Sequence, residues 1–519
     1  MVKVRTRIHD KFSLEFKIWY EKKEQFRQEC WIFVPASLDI NALTYSREQF
    51  YSDITSYYRA ITPVYTLPQM VATDSGDLSL QSGCVNPQCS SPLGFLTNAL
   101  LMVVESPSKA SITEYEYQIK MFCAIFKSAC RERYAQLKVL YNSHQNSLVA
   151  GSGIDDFGKE VFAVLESYGA LGNFLKGKID DKLYDYYTFG EEFMINLAQM
   201  YAHKLNGFVT ESQSLNDSGA NREIAESSEV EKNGENTHLL KKMILRLGSY
   251  KKERGYGLLE ENQDTHNANL LYRWSVLKKY VESDLFLSVD KRKSGVIAEQ
   301  VYYSIAAGLS MVFATAVAFT FQQKYGNFTM PLFVALVVSY MLKDRIKELI
   351  RSAFASNRKL KYFDNKTILG VKDTVIGNSR EGFDFLPQTK VPEHILEIRN
   401  RSIIVDVENR MNQESILFYR NLIVLDRKKL ESTSEYEIDG INKILLFNFS
   451  SFIKKMDNPQ VLYPFVKPAG SQIDTVSVNK IYYINFIFQF TCKGEVSYYR
   501  YRVTMNRDGI LGLEELAAE

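Results

Sequence analysis

Few residues in this sequence stand at spacings that chemistry requires. Asp181, Asp185 and Glu192 share one side of an expected helix, with His203 further along, and carboxylates with imidazole are the ligand types of a metal cluster. The spacing lacks the Glu-x-x-His pairs of di-metal bundle sites, so solvated helix charges are the preferred reading. Cys84 and Cys89, in Ser-Gly-Cys-Val-Asn-Pro-Gln-Cys-Ser-Ser-Pro, have the spacing of half a zinc site. With no second Cys or His pair nearby, an ordinary loop is favoured. His9, His144, His238, His266 and His394 are isolated in sequence. There is no G-x-x-x-x-G-K-[ST] phosphate cradle, no G-x-S-x-G elbow and no H-E-x-x-H pair. The sequence therefore names no catalytic residue, cofactor-binding residue or metal ligand, implies no cofactor, and leaves enzyme status open.

Composition narrows the classes. Lys and Arg total 63 against 61 Asp and Glu, a balance that gives no bulk pull toward nucleic acid. Six cysteines in 519 residues do not make a disulfide framework, so reduced thiols are expected; Cys123 and Cys130 read as small core residues beside Ile119, Phe122 and Phe126. A chain of this length exceeds one hydrophobic core, and at least two domains are expected. The start, Met1-Val-Lys-Val-Arg-Thr-Arg-Ile-His-Asp, is basic but lacks the apolar core of a secretory signal.

The strongest pattern is apolar. Val301 to Phe321 holds 21 residues without a charge, close to the ~20 that cross a bilayer as a helix. Phe328 to Leu342 adds fifteen more, and with Tyr325, Gly326 and Asn327 nearly makes a second span; Pro331 falls in its first turn, where a missing N–H costs little. The short link between them predicts an antiparallel transmembrane hairpin over 301–342, with spans 301–321 and 325–342. Lys291, Arg292 and Lys293 precede it, and Lys343, Arg345, Lys347 and Arg351 follow, while the connecting loop carries only Lys324. The excess of positive charge stays on the cytoplasmic side, which predicts a two-pass protein of the inner membrane with both termini in the cytoplasm. Ala306, Ser310, Ala314 and Ala318 recur every four residues on the first span, a seam along which a second helix can approach closely.

Around the hairpin the patterning predicts an α+β membrane protein. Phe12, Leu14, Phe16 and Ile18 alternate with polar residues as a strand, Cys30 to Val34 is a second, continuously apolar strand, and Ser46 with Gln49 opens a helix through Phe50, Ile54, Tyr57 and Ile61. Helical spacing then dominates Ser111 to Leu205. This gives an N-terminal strand-then-helix domain over 1–210. Residues 211–238 contain no Phe, Tyr or Trp and seven acidic against two basic side chains, the composition of a disordered linker. A helical stalk over 239–300 is expected to lead to the membrane, and a basic juxtamembrane helix over 343–362 to follow it. Residues 363–519 read as a mainly antiparallel, sandwich-like β domain, with strands at Ser402–Val407, Ile416–Leu425, Ile441–Phe449 and Tyr482–Phe490.

Trp31-Ile-Phe-Val-Pro-Ala-Ser-Leu-Asp-Ile-Asn, Tyr45-Ser-Arg-Glu-Gln-Phe-Tyr-Ser-Asp-Ile and Tyr325-Gly-Asn-Phe-Thr-Met-Pro-Leu-Phe-Val-Ala-Leu-Val-Val-Ser-Tyr-Met-Leu-Lys-Asp-Arg-Ile-Lys-Glu together resemble a group of uncharacterised bacterial integral membrane proteins. The resemblance implies a bacterial inner membrane and supplies no activity. The leading functional expectation is a membrane-anchored cytoplasmic scaffold or sensor. A membrane enzyme acting on lipid through a site assembled only in the fold is the alternative, and an oligomeric pore lined by Ser304, Ser310 and Thr315 is third. The partners implied are the lipid bilayer and a protein partner or further copies of the chain, with no nucleic acid.

Overall fold

The structure is a computed structural model that describes residues 2–21, 25–72, 91–142, 147–218, 227–294, 296–326, 329–358, 363–372, 374–411, 413–466 and 473–518. It is α+β, with a large antiparallel sheet built mostly from the C-terminal part of the chain. In chain order, β1 (Lys3–Asp10), β2 (Ser13–Glu21) and β3 (Gln25–Val34) lead to α1 (Arg47–Asp53) and β4 (Ile54–Ala60). Among the described residues seven α-helices follow: α2 (Leu67–Val71), α3 (Pro92–Glu105), α4 (Lys109–Asn142), α5 (Ser147–Leu175), α6 (Asp181–Ser218), α7 (Ser227–Glu253) and α8 (Asp264–Glu282). The chain continues through β5 (Ser288–Lys293), α9 (Val296–Tyr325), α10 (Met330–Arg358), β6 (Asn365–Val371), β7 (Thr374–Leu386), α11 (Glu393–Arg399) and α12 (Ile403–Met411). It ends with β8 (Ser415–Leu425), α13 (Arg427–Ser432), β9 (Gly440–Asn448), α14 (Ser450–Ile453), β10 (Gln460–Val466), β11 (Ile473–Asn479), β12 (Tyr482–Cys492), β13 (Glu495–Asn506) and β14 (Gly509–Leu516).

Two units result, and their division differs from the linear one expected. Residues 1–61 and 287–519 form the first, and residues 62–286 form the second as an insertion. The first unit contains a sheet of order β1-β2-β9-β4 and an eight-stranded sheet of order β14-β13-β12-β3-β8-β7-β6-β5. N-terminal strands are thus laced among C-terminal ones: β3 pairs antiparallel with both β8 and β12, and β2 with β9. The boundary expected after residue 210 gives way because backbone pairing between distant segments decides the domain. The Leu287 N–H donates to the Tyr58 carbonyl at 2.9 Å, so the chain leaves the sheets and rejoins them at neighbouring points.

Strand chemistry explains the layers. Leu14, Phe16, Ile18 and Tyr20 of β2 and Ile484, Phe486, Phe488 and Phe490 of β12 point into one core between the two sheets, where Phe16 lies 5.2 Å from Phe486 and 5.0 Å from Phe488, ring centre to ring centre. The Cys30–Val34 end of β3 is continuously apolar because it is covered on both faces: Cys30, Ile32 and Val34 face that core, while Trp31 and Phe33 face a second cluster roofed by Ile395 and Ile398 of α11.

Other local expectations shift. Ser46 caps α1, its hydroxyl accepting from the Gln49 N–H at 3.2 Å, but the helix stops at Asp53 and Ile54–Ala60 is strand, since pairing to β9 outweighs the helical spacing. Ser402–Val407 is not a strand: α12 begins at Ile403, and Ile403, Ile404, Val407 and Met411 return at helical spacing. The expected linker is largely helical: residues 211–218 complete α6 and 227–238 begin α7, with 219–226 outside the described residues. The expected stalk belongs to the helical unit instead, burying Leu240, Met243 and Leu247 of α7 and Leu277 and Val281 of α8. The basic segment expected after residue 343 is the uninterrupted second half of α10.

Candidate functional site

The feature that sets this molecule apart is apolar surface on α9 and α10. Val301, Ile305, Leu309, Val312 and Phe319 of α9 and Phe333, Val334, Val337, Val338 and Met341 of α10 are all exposed. The two helices pack on each other along small residues: Ala306 and Ser310 are buried on α9, Ala335 and Ser339 on α10, and the Ser339 hydroxyl donates to the Ala314 carbonyl at 3.4 Å. Ala314 and Ala318 are half-buried, so the four-residue ladder forms the seam within the pair. Ser304, Ser310, Thr315 and Thr320 each return their hydroxyl to a carbonyl of their own helix at 2.8 Å. That satisfies them without water, as an apolar medium demands and a polar pore lining does not.

Of the two expected spans, 301–321 and 325–342, the structure supports the first alone by length and composition. Among the described residues only α9 contains a stretch long and apolar enough to cross a membrane, Gln300–Tyr325, 26 residues with 11% of its most apolar window buried. In α10 the charges Lys343, Asp344, Arg345 and Lys347 follow Leu342 directly, which leaves an apolar part too short to qualify alone.

The expected flanking cations have separate fates. Lys291, Arg292 and Lys293 lie on β5, not on a helix end. Lys291 turns toward the Glu381 carboxylate at 3.9 Å and over the Tyr51 ring, and Arg292 pairs with Asp290 at 2.6 Å, leaving Lys293 to solvent. On α10, Lys343 covers Tyr340, Arg345 is exposed, Lys347 is half-buried, and Arg351 stacks over Tyr303 of α9.

At the foot of the helical pair lies a charged clamp. The Ser294 N–H donates to the Asp364 carbonyl at 2.8 Å, which joins the outgoing and returning chains. The Asp364 carboxylate accepts from the Arg47 guanidinium at 2.7 Å, the Tyr51 hydroxyl at 2.9 Å and the Phe383 N–H at 2.8 Å. Between the sheets sits a buried network around Glu381 and Lys443. Glu381 Oε1 accepts from Tyr419 at 2.7 Å, Lys443 at 3.3 Å and Ser56 at 3.2 Å, and Lys443 also donates to the Tyr419 hydroxyl at 2.7 Å. Tyr58 and Asn421 converge on Ser379, each at 2.7 Å. Burial alone would raise the Glu381 carboxyl, but Lys443, Tyr419 and Lys291 more than offset it and hold it below the ordinary carboxylate value. Burial pushes the Lys443 amine down against the pull of Glu381.

Among the cavities of the first unit's described residues are one of about 560 Å³ near Phe26 and Cys492 and one of about 350 Å³ beside α12, and neither of these is lined by Glu381 or Lys443. The pair therefore joins the sheets and offers no substrate path through those cavities.

The helical unit has its own polar centre. Glu192 is turned inward onto Arg273, which holds both its oxygens between 2.7 and 3.0 Å, whereas Asp181, Asp185 and His203 are exposed. The four residues are not gathered, and no group of three or more metal-binding side chains occurs among the described residues. Neighbouring Glu191 accepts from Tyr187 at 3.1 Å, Tyr250 at 3.3 Å and Tyr256 at 2.8 Å, and Arg254 stands 3.4 Å away. Gly172 and Gly190 make room, since a Cβ would stand 2.2 Å from the Tyr187 ring or 2.5 Å from the Tyr168 hydroxyl. Beside this centre Lys251 is buried with its amine 4.3 Å from the Trp274 ring centre, and burial lowers it to about 8 despite Glu192. The visible signal was adjacent carboxylates within Phe189-Gly190-Glu191-Glu192-Phe193-Met194-Ile195, where no solvated face exists for both. Cys30, Cys123, Cys130 and Cys492 are buried free thiols, and Cys84 and Cys89 lie outside the described residues.

Compared with known proteins, the chain matches no family model, no curated protein and no solved structure, so the resemblance to bacterial integral membrane proteins gains no support there.

Proposed function

We propose that this chain is a membrane-anchored scaffold, with α9 and α10 held in a bilayer as a hairpin and the two-sheet unit tethered at its foot. The observation that carries this reading is the apolar outer surface of a helical pair that packs on itself through Ala306, Ser310, Ala335 and Ser339, with the Ser304, Ser310, Thr315, Thr320 and Ser339 hydroxyls bonded to carbonyls within it. Such a surface has nothing to gain from water and finds its match in lipid.

The sheet supports the return crossing. β3 precedes α9 in sequence, yet it is hydrogen-bonded to β8 and β12, which follow α10. A chain that crossed once at α9 would place paired strands on opposite sides of the membrane. An even number of crossings follows, and α10 is the segment that supplies the second. Its apolar residues 330–342 rise about 20 Å, which local thinning of the bilayer accommodates. Both soluble units then share the cytoplasmic face of the inner membrane.

Reporter domains fused before Met1 and after Glu519 test this in cells, together with alkaline carbonate washing of membranes. Both reporters are expected active only inside, with the protein retained in the washed pellet. A C-terminal reporter active outside, or release by carbonate, would overturn the reading.

A further inference from the structure

Two more elements of the first unit expose apolar side chains without cover. On α12, Ile403, Ile404 and Met411 are 84%, 82% and 83% exposed, and with Val407 they form one narrow stripe. The stripe is fixed outward: Asn409, on the opposite side, donates to Gln388 at 2.9 Å and accepts from the Glu414 N–H at 2.8 Å. Glu414 is itself held by Arg399 at 2.8 Å and Arg401 at 2.9 Å. The second element is the β10–β11 arm, a two-stranded ribbon paired from Gln460↔Asn479 to Val466↔Ile473 and exposed along its whole length. One face carries Val461, Tyr463, Phe465, Val476 and Val478, and the other Leu462, Val466 and Ile473. Its base is closed by the Lys480 N–H on the Pro459 carbonyl at 2.8 Å and by the Lys480–Asp457 ion pair. A two-stranded ribbon is marginal by itself in water, so apolar residues on both faces call for a surrounding medium.

Strand register places these elements together. β7 ends at Leu386, which faces Ile416 at the start of β8; Ile416 faces Phe33 at the end of β3, and Phe33 faces Asn485 near the start of β12. The chain thus leaves for α11 and α12, and arrives from the β10–β11 arm, at one end of the eight-stranded sheet. β5 runs toward that same end before giving way to α9, because Lys293 faces Asn365, Asn365 faces Glu381, and β7 goes on from Glu381 to Leu386.

We infer that α12 and the β10–β11 arm are a second, interfacial lipid-contacting surface beside the α9–α10 hairpin. The inference rests on the hairpin being in the bilayer. A folded partner would cover one face of the arm, whereas the boundary between headgroups and acyl chains surrounds both. Among the described residues the ribbon has no third strand, so backbone polar groups along its outer edges call for water, which bars it from the dry centre and sets it at the interface, with α12 lying flat in the same plane.

The test places a photoreactive benzoylphenylalanine singly at Ile404, Met411, Leu462 or Val466 in the full-length protein. The protein is reconstituted in phosphatidylethanolamine–phosphatidylglycerol vesicles. Phe319 on α9 serves as the positive control, and exposed Val375, at the opposite end of β7, as the negative one. Lipid adducts at all four positions several-fold above those at Val375 are expected. Adducts at Phe319 but none above Val375 at the four positions would overturn this inference and leave the anchor standing. Adducts between chains at Leu462 or Ile404, in place of lipid adducts, would also overturn it, making a second copy the occupant. No lipid adducts even at Phe319 would overturn the anchor itself.

Discussion

Arg47 and Asp364 lie 317 positions apart in sequence and 2.7 Å apart in space, where they fasten the returning strand of the helical pair to α1. Arg47 is about one-third exposed, but Asp364 also takes the Tyr51 hydroxyl and the Phe383 N–H. Asp364→Ala should therefore cost about 2–4 kcal/mol, because three donors lose their acceptor, and Arg47→Ala about 1 kcal/mol. Thermal unfolding in detergent measures the totals, and amide exchange at Ser294 reads the local loosening. Equal losses in the two variants would show that the clamp is only a surface ion pair.

Lys443 and Glu381 should behave as one unit. Lys443→Met strands a buried carboxylate and should cost about 3–5 kcal/mol, while Lys443→Met combined with Glu381→Leu should regain most of that loss. Denaturant unfolding of the two single variants and the double variant gives the coupling. Additive losses would contradict the direct contact at 3.3 Å.

Lys251 supplies a pH signature. Its folded value of about 8 lies below the ordinary 10.5, so between those values the unfolded chain binds more protons and stability rises with pH. Below about 8 both states are protonated and the burial penalty is fully present. Lys251→Met should therefore be more stable than the parent at pH 7 by about 1–2 kcal/mol, allowing for solvent still reaching the amine, and the gap should close toward pH 10.5. Unfolding measured at the two pH values decides it. A gap independent of pH would mean that the amine keeps its ordinary titration.

The apolar runs and the alternating strands were legible because each is a local pattern: Val301 to Phe321 lacks charge, and Phe486, Phe488 and Phe490 share one face whatever they pair with. Partnership between segments was not legible. Nothing in Gln25–Val34 announces that its neighbours are Ser415–Leu425 and Tyr482–Cys492, so the chain read as consecutive domains when it is an insertion. The polar centres were hidden for a related reason. Glu381, Lys443 and Tyr419 come from three strands, and only the register brings them within hydrogen-bonding reach. Glu192 was seen as a surface charge because its partner, Arg273, lies 81 positions later.

The lacing of β3 between β8 and β12 also constrains the order in which the molecule can be made. β1 to β4 leave the ribosome first, yet the eight-stranded sheet cannot be completed until Leu516 has been synthesised, and the helical unit, complete at Phe286, can fold long before. In the interval Phe16, Phe26 and Phe33 have no permanent cover. The N-terminal strands must be shielded from aggregation during that wait.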